Sequence, residues 1–221
     1  IENKDIVIGM LQSLSMKEYP AELFKSFGLT IVDECHHISS EVFVRSLFTV
    51  ITKYTLGLSA TMQRKDGLTK VFKMFLGDIV YTEKREHTDG VLVKAIDYKI
   101  NDEEFNEVVY DYRGQPLYST MITKLCKYNR RSEFILKVID SMIKENSNQQ
   151  MLVLSQNKNL LTYMYDAITN RNIASVGYYV GGMKPDQLRD SQEKDIILTT
   201  FSMAAEGMDI PKLDAVILAS P

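Results

Sequence analysis

The chain has 221 residues, 45% hydrophobic and 25% charged, and a net charge of −3 at pH 7. Such values fit one or two ordinary globular domains; with only Cys35 and Cys126 they exclude a disulfide scaffold and make a reducing cytosolic or nuclear setting the default. The charge weighs against a strongly basic sequence-reading DNA binder, and no apolar run reaches the roughly 18–20 residues of a membrane-spanning helix.

In chain order, short apolar runs ending in polar residues alternate with helical patterns. The opening "IENKD" carries no secretory pattern. "DIVIGM" (5–10) reads as a buried strand, "PAELFKSF" (20–27) as a helix with Pro at its start, and "GLTIVD" (28–33) as a second strand. "EVFVRSLFTVI" (41–51) is a helix and "YTLGLSA" (54–60) a strand. A polar seam, "TEKREHTDG" (82–90), then marks a boundary near 85–92, and "NDEEFNEVVYDYRGQPL" (101–117) breaks the rhythm. Beyond it, helices at 131–145 and 157–169 alternate with strands at 151–156, 173–180, 195–200 and 214–220. Continuous aliphatic runs, rather than strict alternation, predict parallel strands covered on both faces, hence an α/β fold. The expected division is 1–86, a linker and lead-in at 87–130, and 131–221.

The densest chemistry lies in "IVDECHH", where Asp33, Glu34, Cys35, His36 and His37 follow an apolar run. Neighbouring Cys and His side chains diverge too much to share one tetrahedral ion, whose protein sites use wider spacings. A Cys–His nucleophile pair would draw on residues distant in sequence. A polar strand end with a buried Cys remains a plain alternative. An Asp at the carboxyl end of a buried parallel strand, however, stands where open α/β sheets bind ligands. It can hold a magnesium ion through water, and a following Glu can polarise the water that attacks a γ-phosphate.

The motif and those after it resemble superfamily 2 helicases. "VDECHH" is similar to their Walker B element, or DECH box, and "LGLSAT" (56–61) to motif III. "LVLSQNK" (152–158) resembles motif IV, "VGYYVGGMKPDQ" (176–187) the next strand and glycine turn, and "ILTTFSMAAEGMDIPKLDAVILASP" (197–221) motif V. The stretch 28–67 with "LGDIVY" (76–81) resembles the XPB and UvsW branch and helicases of large DNA viruses, and "MLQSLS" (10–15) then corresponds to motif Ib.

The resemblance implies two RecA-like parallel-sheet domains in tandem, the first truncated at its N-terminus and the second at its C-terminus. It implies an ATP-dependent helicase or translocase with ATP and magnesium as cofactors. Asp33 would position the metal through water and Glu34 would act as general base. His36, Ser59 and Thr61 would couple nucleotide state to grip, and Gly207 and Asp209 would face ATP from the second domain. Ser13, Arg64, Gln156, Gly181, Gly182, Thr199 and Thr200 would touch a nucleic-acid backbone, of DNA rather than RNA. Those contacts would be independent of sequence and sensitive to salt. Gly181 and Gly182 permit close backbone approach, and Thr199 and Thr200 offer hydroxyls at a strand end. In place of the branch's Arg-Glu-Asp element the chain reads Arg64-Lys65-Asp66, a charge reversal at the middle position.

Two elements of such motors are absent from the sequence: a G-x-x-x-x-G-K-[ST] phosphate loop and a Q-x-x-G-R-x-x-R element. The expectation is therefore an internal piece of a longer intracellular enzyme, inactive alone, with no membrane contact. Nuclear, cytoplasmic and virus-associated settings are not distinguished. A motor subunit of a restriction or remodelling complex, or a non-catalytic scaffold with the same fold, stays open.

Overall fold

The computed structural model describes residues 4–35, 41–60, 69–83, 90–205, 208 and 210–220. The chain divides into two compact units, Ile1–Leu92 and Val93–Pro221.

In the first unit, α1 (Leu11–Met16) is followed by a single 3-10 turn at Ala21–Phe24, where a longer helix over 20–27 was expected. Strand β1 (Leu29–Val32), helix α2 (Glu41–Thr49), strand β2 (Tyr54–Gly57) and helix α3 (Thr69–Leu76) complete it. β1 and β2 pair in parallel, Leu29 opposite Tyr54 and Val32 opposite Gly57. Val32 and Cys35 form a small core with Leu11, Leu47 and Leu76. Gly57 makes that core possible: a Cβ there would stand 2.6 Å from Leu76 Cδ1 and 3.0 Å from Cys35 Sγ.

Two expectations for this unit are corrected. Residues 5–10 form no strand, and Ile6 and Ile8 are 82% and 95% exposed. A strand needs a partner's hydrogen bonds, and the only strands described in this unit, β1 and β2, pair with each other. Nor are β1 and β2 covered on both faces: Leu29, Ile31, Tyr54 and Leu56 all lie exposed. By the period of two they share the face opposite Val32, against which no described element packs.

The second unit begins with extended chain, the short helix α4 (Glu103–Asn106), a bridge between Tyr110 and Pro116, and α5 (Tyr118–Lys127). Then come α6 (Asn129–Glu145), β3 (Gln150–Leu154), α7 (Lys158–Asn170), β4 (Val176–Tyr179), α8 (Pro185–Gln192), β5 (Ile196–Thr199), α9 (Phe201–Ala205) and β6 (Leu213–Leu218). The four strands form one parallel sheet in the order β4-β5-β3-β6. This is the parallel α/β pattern that the aliphatic runs predict, and it agrees with the RecA-like domain that the resemblance implies.

β3 and β5 are buried along their whole length. Met151, Val153, Ile196 and Leu198 meet Leu136, Ile139, Leu160, Leu161, Met164 and Ile168 of α6 and α7 on one face. Leu152, Leu154 and Ile197 meet Phe201, Ala204, Met208 and Ile210 on the other. Each such buried aliphatic side chain contributes roughly 1.5–3 kcal/mol, so the central strands anchor the unit.

Residues 93–128, expected as linker and lead-in, fold with this unit. Asp102 caps α4 through Phe105 N, accepts from Tyr128 Oη at 2.7 Å and faces Arg130 at 3.4 Å. Tyr98, Phe105, Tyr128 and Phe134 form an aromatic chain with ring centroids 5.0–5.5 Å apart. A second clamp joins α6 to α7, where Arg171 binds Glu133 through two nitrogens, at 2.9 and 2.7 Å, and Tyr163 Oη donates to the same carboxylate. No helix among the described residues is long and apolar enough to cross a membrane.

Candidate functional site

At the carboxyl end of β1 the chain turns through Asp33 and Glu34, both exposed, into the buried Cys35. Glu34 takes a φ of +47°, a left-handed backbone uncommon for a residue other than glycine. The turn is held locally, since Asp33 Oδ1 accepts from Glu34 N at 2.9 Å. It is also held across the sheet: Leu58 N donates to the Val32 carbonyl, and Cys35 N donates to the Leu58 carbonyl, each at 2.9 Å. The Asp33–Glu34 turn is therefore fastened to the end of β2, one residue before Ser59.

Both carboxylates face water while the thiol points inward, so these groups do not share one ligand. Burial pushes the Cys35 thiol upward, with the neighbouring acids adding to the shift, so it stays protonated and packs as a small apolar group. The donor set at this turn suits magnesium, which takes one or two carboxylates and keeps several waters, better than a closed protein cage. Among the described residues no cluster of three metal-ligating side chains occurs.

Ser13 lies half-buried in α1, its carbonyl accepting from Lys17 N at 3.2 Å. A cleft of about 550 Å³ between the end of α1 and α2 is lined by Ser15, Lys17 and Arg45 rather than by Ser13. Sequence reasoning passed over Lys17 and Arg45, because neither falls in a motif. His36, Thr61 and Arg64 lie outside the described residues, as do Gly207 and Asp209.

In the second unit the parallel order brings four strand ends to one rim. Gln156 follows β3, exposed, and its main-chain N–H donates to Ser220 Oγ beyond β6 at 3.1 Å. Ser155 Oγ lies 3.1 Å from the same hydroxyl, and Asn157 caps α7 by accepting from Leu160 N. Arg131 reaches this rim from α6, donating to the Ala219 carbonyl at 2.8 Å. Gly181 and Gly182 follow β4, both exposed; Gly182 has a φ of +91° and open space where a Cβ would stand. A side chain there would be strained, so the glycine is required by the turn itself.

The two threonines at the end of β5 differ. Thr199 is fully buried and its hydroxyl donates to the Tyr179 carbonyl at 2.6 Å, tying β5 to β4. The expectation that it offers that hydroxyl to a phosphate does not fit this placement. Thr200 leads into α9, its carbonyl accepting from Met203 N and Ala204 N at 3.1 Å and its hydroxyl lying 3.2 Å from Ser202 Oγ. Both are buried, Thr200 at 8% exposure, so the two differ in what their hydroxyls meet rather than in burial.

Residues 1–64 match the family described as type III restriction enzyme, res subunit, and residues 132–221 match the helicase conserved C-terminal domain. "Putative ATP-dependent RNA helicase L396" of Acanthamoeba polyphaga mimivirus is 36% identical over 219 residues, covering 97% of this chain and 42% of that protein. "Probable helicase D10" of Escherichia phage T5 is 23% identical over 220 residues, covering 97% of this chain and 46% of that protein. The crystal structure of T4 UvsW aligns with 99% of this chain and 43% of its own, at 18% identity and a TM-score of 0.43. The chain thus spans less than half the length of the curated relatives it matches.

Proposed function

The chain belongs to the superfamily 2 helicases, and on that premise we propose that it forms the working core of an ATP-driven motor that moves along nucleic acid. The observation that carries this reading is the Asp33–Glu34 turn at the end of β1, fastened to the end of β2 by the Cys35–Leu58 hydrogen bond. Glu34 would accept the proton of the attacking water, while Asp33 would hold magnesium through its hydration shell. The ion, when bound, neutralises charge developing on the transferred phosphoryl group. His36 and Thr61 are proposed, with Ser59, to pass the nucleotide state onward, and Gly207 and Asp209 to face ATP.

Grip on the nucleic-acid backbone is proposed for Ser13 and Arg64 in the first unit and for Gln156, Gly181, Gly182 and Thr200 in the second. The exposed glycines at the turn after β4 suit close approach of a phosphate. DNA is the proposed track, on the resemblance of residues 28–67 to the XPB and UvsW branch. The mimivirus relative has RNA in its name, so the two must be compared directly.

The test is ATP hydrolysis by the full-length protein with and without single-stranded or duplex DNA and RNA. Stimulation by nucleic acid, strongest with DNA and weakening as salt rises, is the expected result. ATP turnover indifferent to every nucleic acid would remove the motor reading. A second reading keeps the motor and places it in a restriction-type complex; the match of residues 1–64 favours it. A nuclease activity co-purifying with the ATPase distinguishes the two.

A further inference from the structure

Residues 109–117, between α4 and α5, were singled out in the sequence only as irregular, and the motor reading leaves them without a task. They form a tightly tied turn. Asp111 N donates to the Gln115 carbonyl at 2.8 Å, Gly114 N to the Asp111 carbonyl at 3.1 Å, and Leu117 N to the Val109 carbonyl at 2.8 Å. Asp111 Oδ1 accepts from both Arg113 N and Gln115 N, each at 2.8 Å. Gly114 takes the φ of +75° that closes the turn. The turn is anchored at its base, because Lys124 of α5 bonds both the carboxylate and the carbonyl of Glu107.

This rigid turn carries its aromatic rings outward. Tyr112 is 88% exposed, and Tyr110 and Tyr118 are 57% and 64% exposed. The Arg113 guanidinium lies over one face of the Tyr112 ring, 5.0 Å from its centroid, a cation–π arrangement. One ring face is therefore covered by a positive charge and the other is open. The nearest acid, Asp111, is directed into the turn by two amides, so Arg113 supplies the turn's outward charge. A flexible loop would gain little from such a ring; a loop held by five hydrogen bonds presents it at small entropic cost.

We propose that the Tyr112–Arg113 turn is an additional nucleic-acid contact, which takes an unpaired base on the open face of the Tyr112 ring while Arg113 serves the flanking phosphate. The proposal rests on the reading that the protein works on nucleic acid and adds to the backbone contacts one that stacks on a base. Every base has a π-face, so the contact tolerates sequence; it requires a base freed from its stack, so it selects single strands over duplex. A contact of this kind gives a motor a hold on the strand it has just separated.

The experiment is equilibrium binding of fluorescently labelled 20-mers to the full-length protein: oligo-dT, oligo-rU, and a phosphodiester strand of equal length made of abasic sites. Tyr112→Ala is expected to weaken both base-carrying strands about 5- to 100-fold, the range for one lost base–aromatic stack, with the abasic strand unaffected. Tyr112→Phe keeps the ring and restores wild-type binding, and Arg113→Ala weakens all three strands. Because Tyr112 is exposed, its variants should unfold at the wild-type denaturant midpoint. If Tyr112→Ala binds the base-carrying strands as tightly as wild type, or loses the abasic strand equally, the proposal is overturned and the turn belongs to a protein contact instead. A protein that binds none of the strands refutes the motor reading as well, whereas tight binding indifferent to Tyr112 refutes this inference alone.

Discussion

Ser220 Oγ lies 3.1 Å from the Gln156 main-chain nitrogen and 3.1 Å from Ser155 Oγ, joining the ends of two adjacent parallel strands, β3 and β6. Ser220 and Ser155 are both buried, so their hydroxyls have no water to fall back on. Together with the Arg131 bond to the Ala219 carbonyl, this small polar network fixes where Gln156 stands on the rim.

Ser220→Ala should therefore loosen the rim without disturbing the apolar core beneath it. Removing one partner from a buried hydrogen-bonded group costs about 1–3 kcal/mol. Hydrogen exchange at the carboxyl ends of β3 and β6 is the measurement, and faster exchange at Gln156 is the expected outcome. Unchanged protection there would show that the serine pair holds nothing.

Gly57→Ala should destabilise the first unit. The added methyl would stand 2.6 Å from Leu76 Cδ1 and 3.0 Å from Cys35 Sγ, and overpacking of this kind costs about 1–3 kcal/mol. Both contacted atoms are side-chain ends, so relief is local. Gly57→Ala combined with Leu76→Ala should be less destabilised than the sum of the single variants, a coupling that a double-mutant cycle on the denaturation midpoint detects. Strict additivity would contradict the packing described.

The clamp of α6 on α7 gives a pH signature. Hydrogen bonds from Arg171, then from Tyr163, lower the Glu133 pKa from 4.5 to about 2. A depressed carboxylate contributes stability that is fully present above its unfolded pKa and is lost as pH falls toward its folded one. Glu133→Gln should thus destabilise the second unit above pH 4.5, with the gap to wild type closing between pH 4.5 and about 2. Glu133 is 36% exposed and Arg171 47%, so solvent screening limits the effect to about 1 kcal/mol or less. Denaturant unfolding of both proteins across that range measures it, and a gap constant with pH would contradict the assignment.

Much of the second unit was legible in its sequence because β3 and β5 are buried on both faces, and such strands must be written as unbroken aliphatic runs. The same rule misled at residues 5–10, where the apolar run pairs with no described strand, and at β1 and β2, where no described element covers one face. Periodicity reports that a residue is apolar, not whether a neighbour covers it. At the candidate site, the Asp33–Glu34 pair was readable as a motif, but the left-handed backbone of Glu34 was not. Thr199 and Thr200 read alike in sequence and differ only in the structure. The tie from Asp102 to Tyr128 joins residues 26 apart in the chain, which local periodicity does not report, so 87–130 read only as a linker and lead-in to the second domain.

Turnover of ATP by the full-length protein carrying Glu34→Gln tests the central claim most directly, because this change keeps the side chain's size while removing its negative charge and with it its capacity to take a proton. With saturating nucleic acid and magnesium, kcat should fall about 10²- to 10⁴-fold, the usual worth of a positioned general base, while ATP still binds. A variant that hydrolyses ATP at the wild-type rate would contradict the account and move the chemistry away from the end of β1.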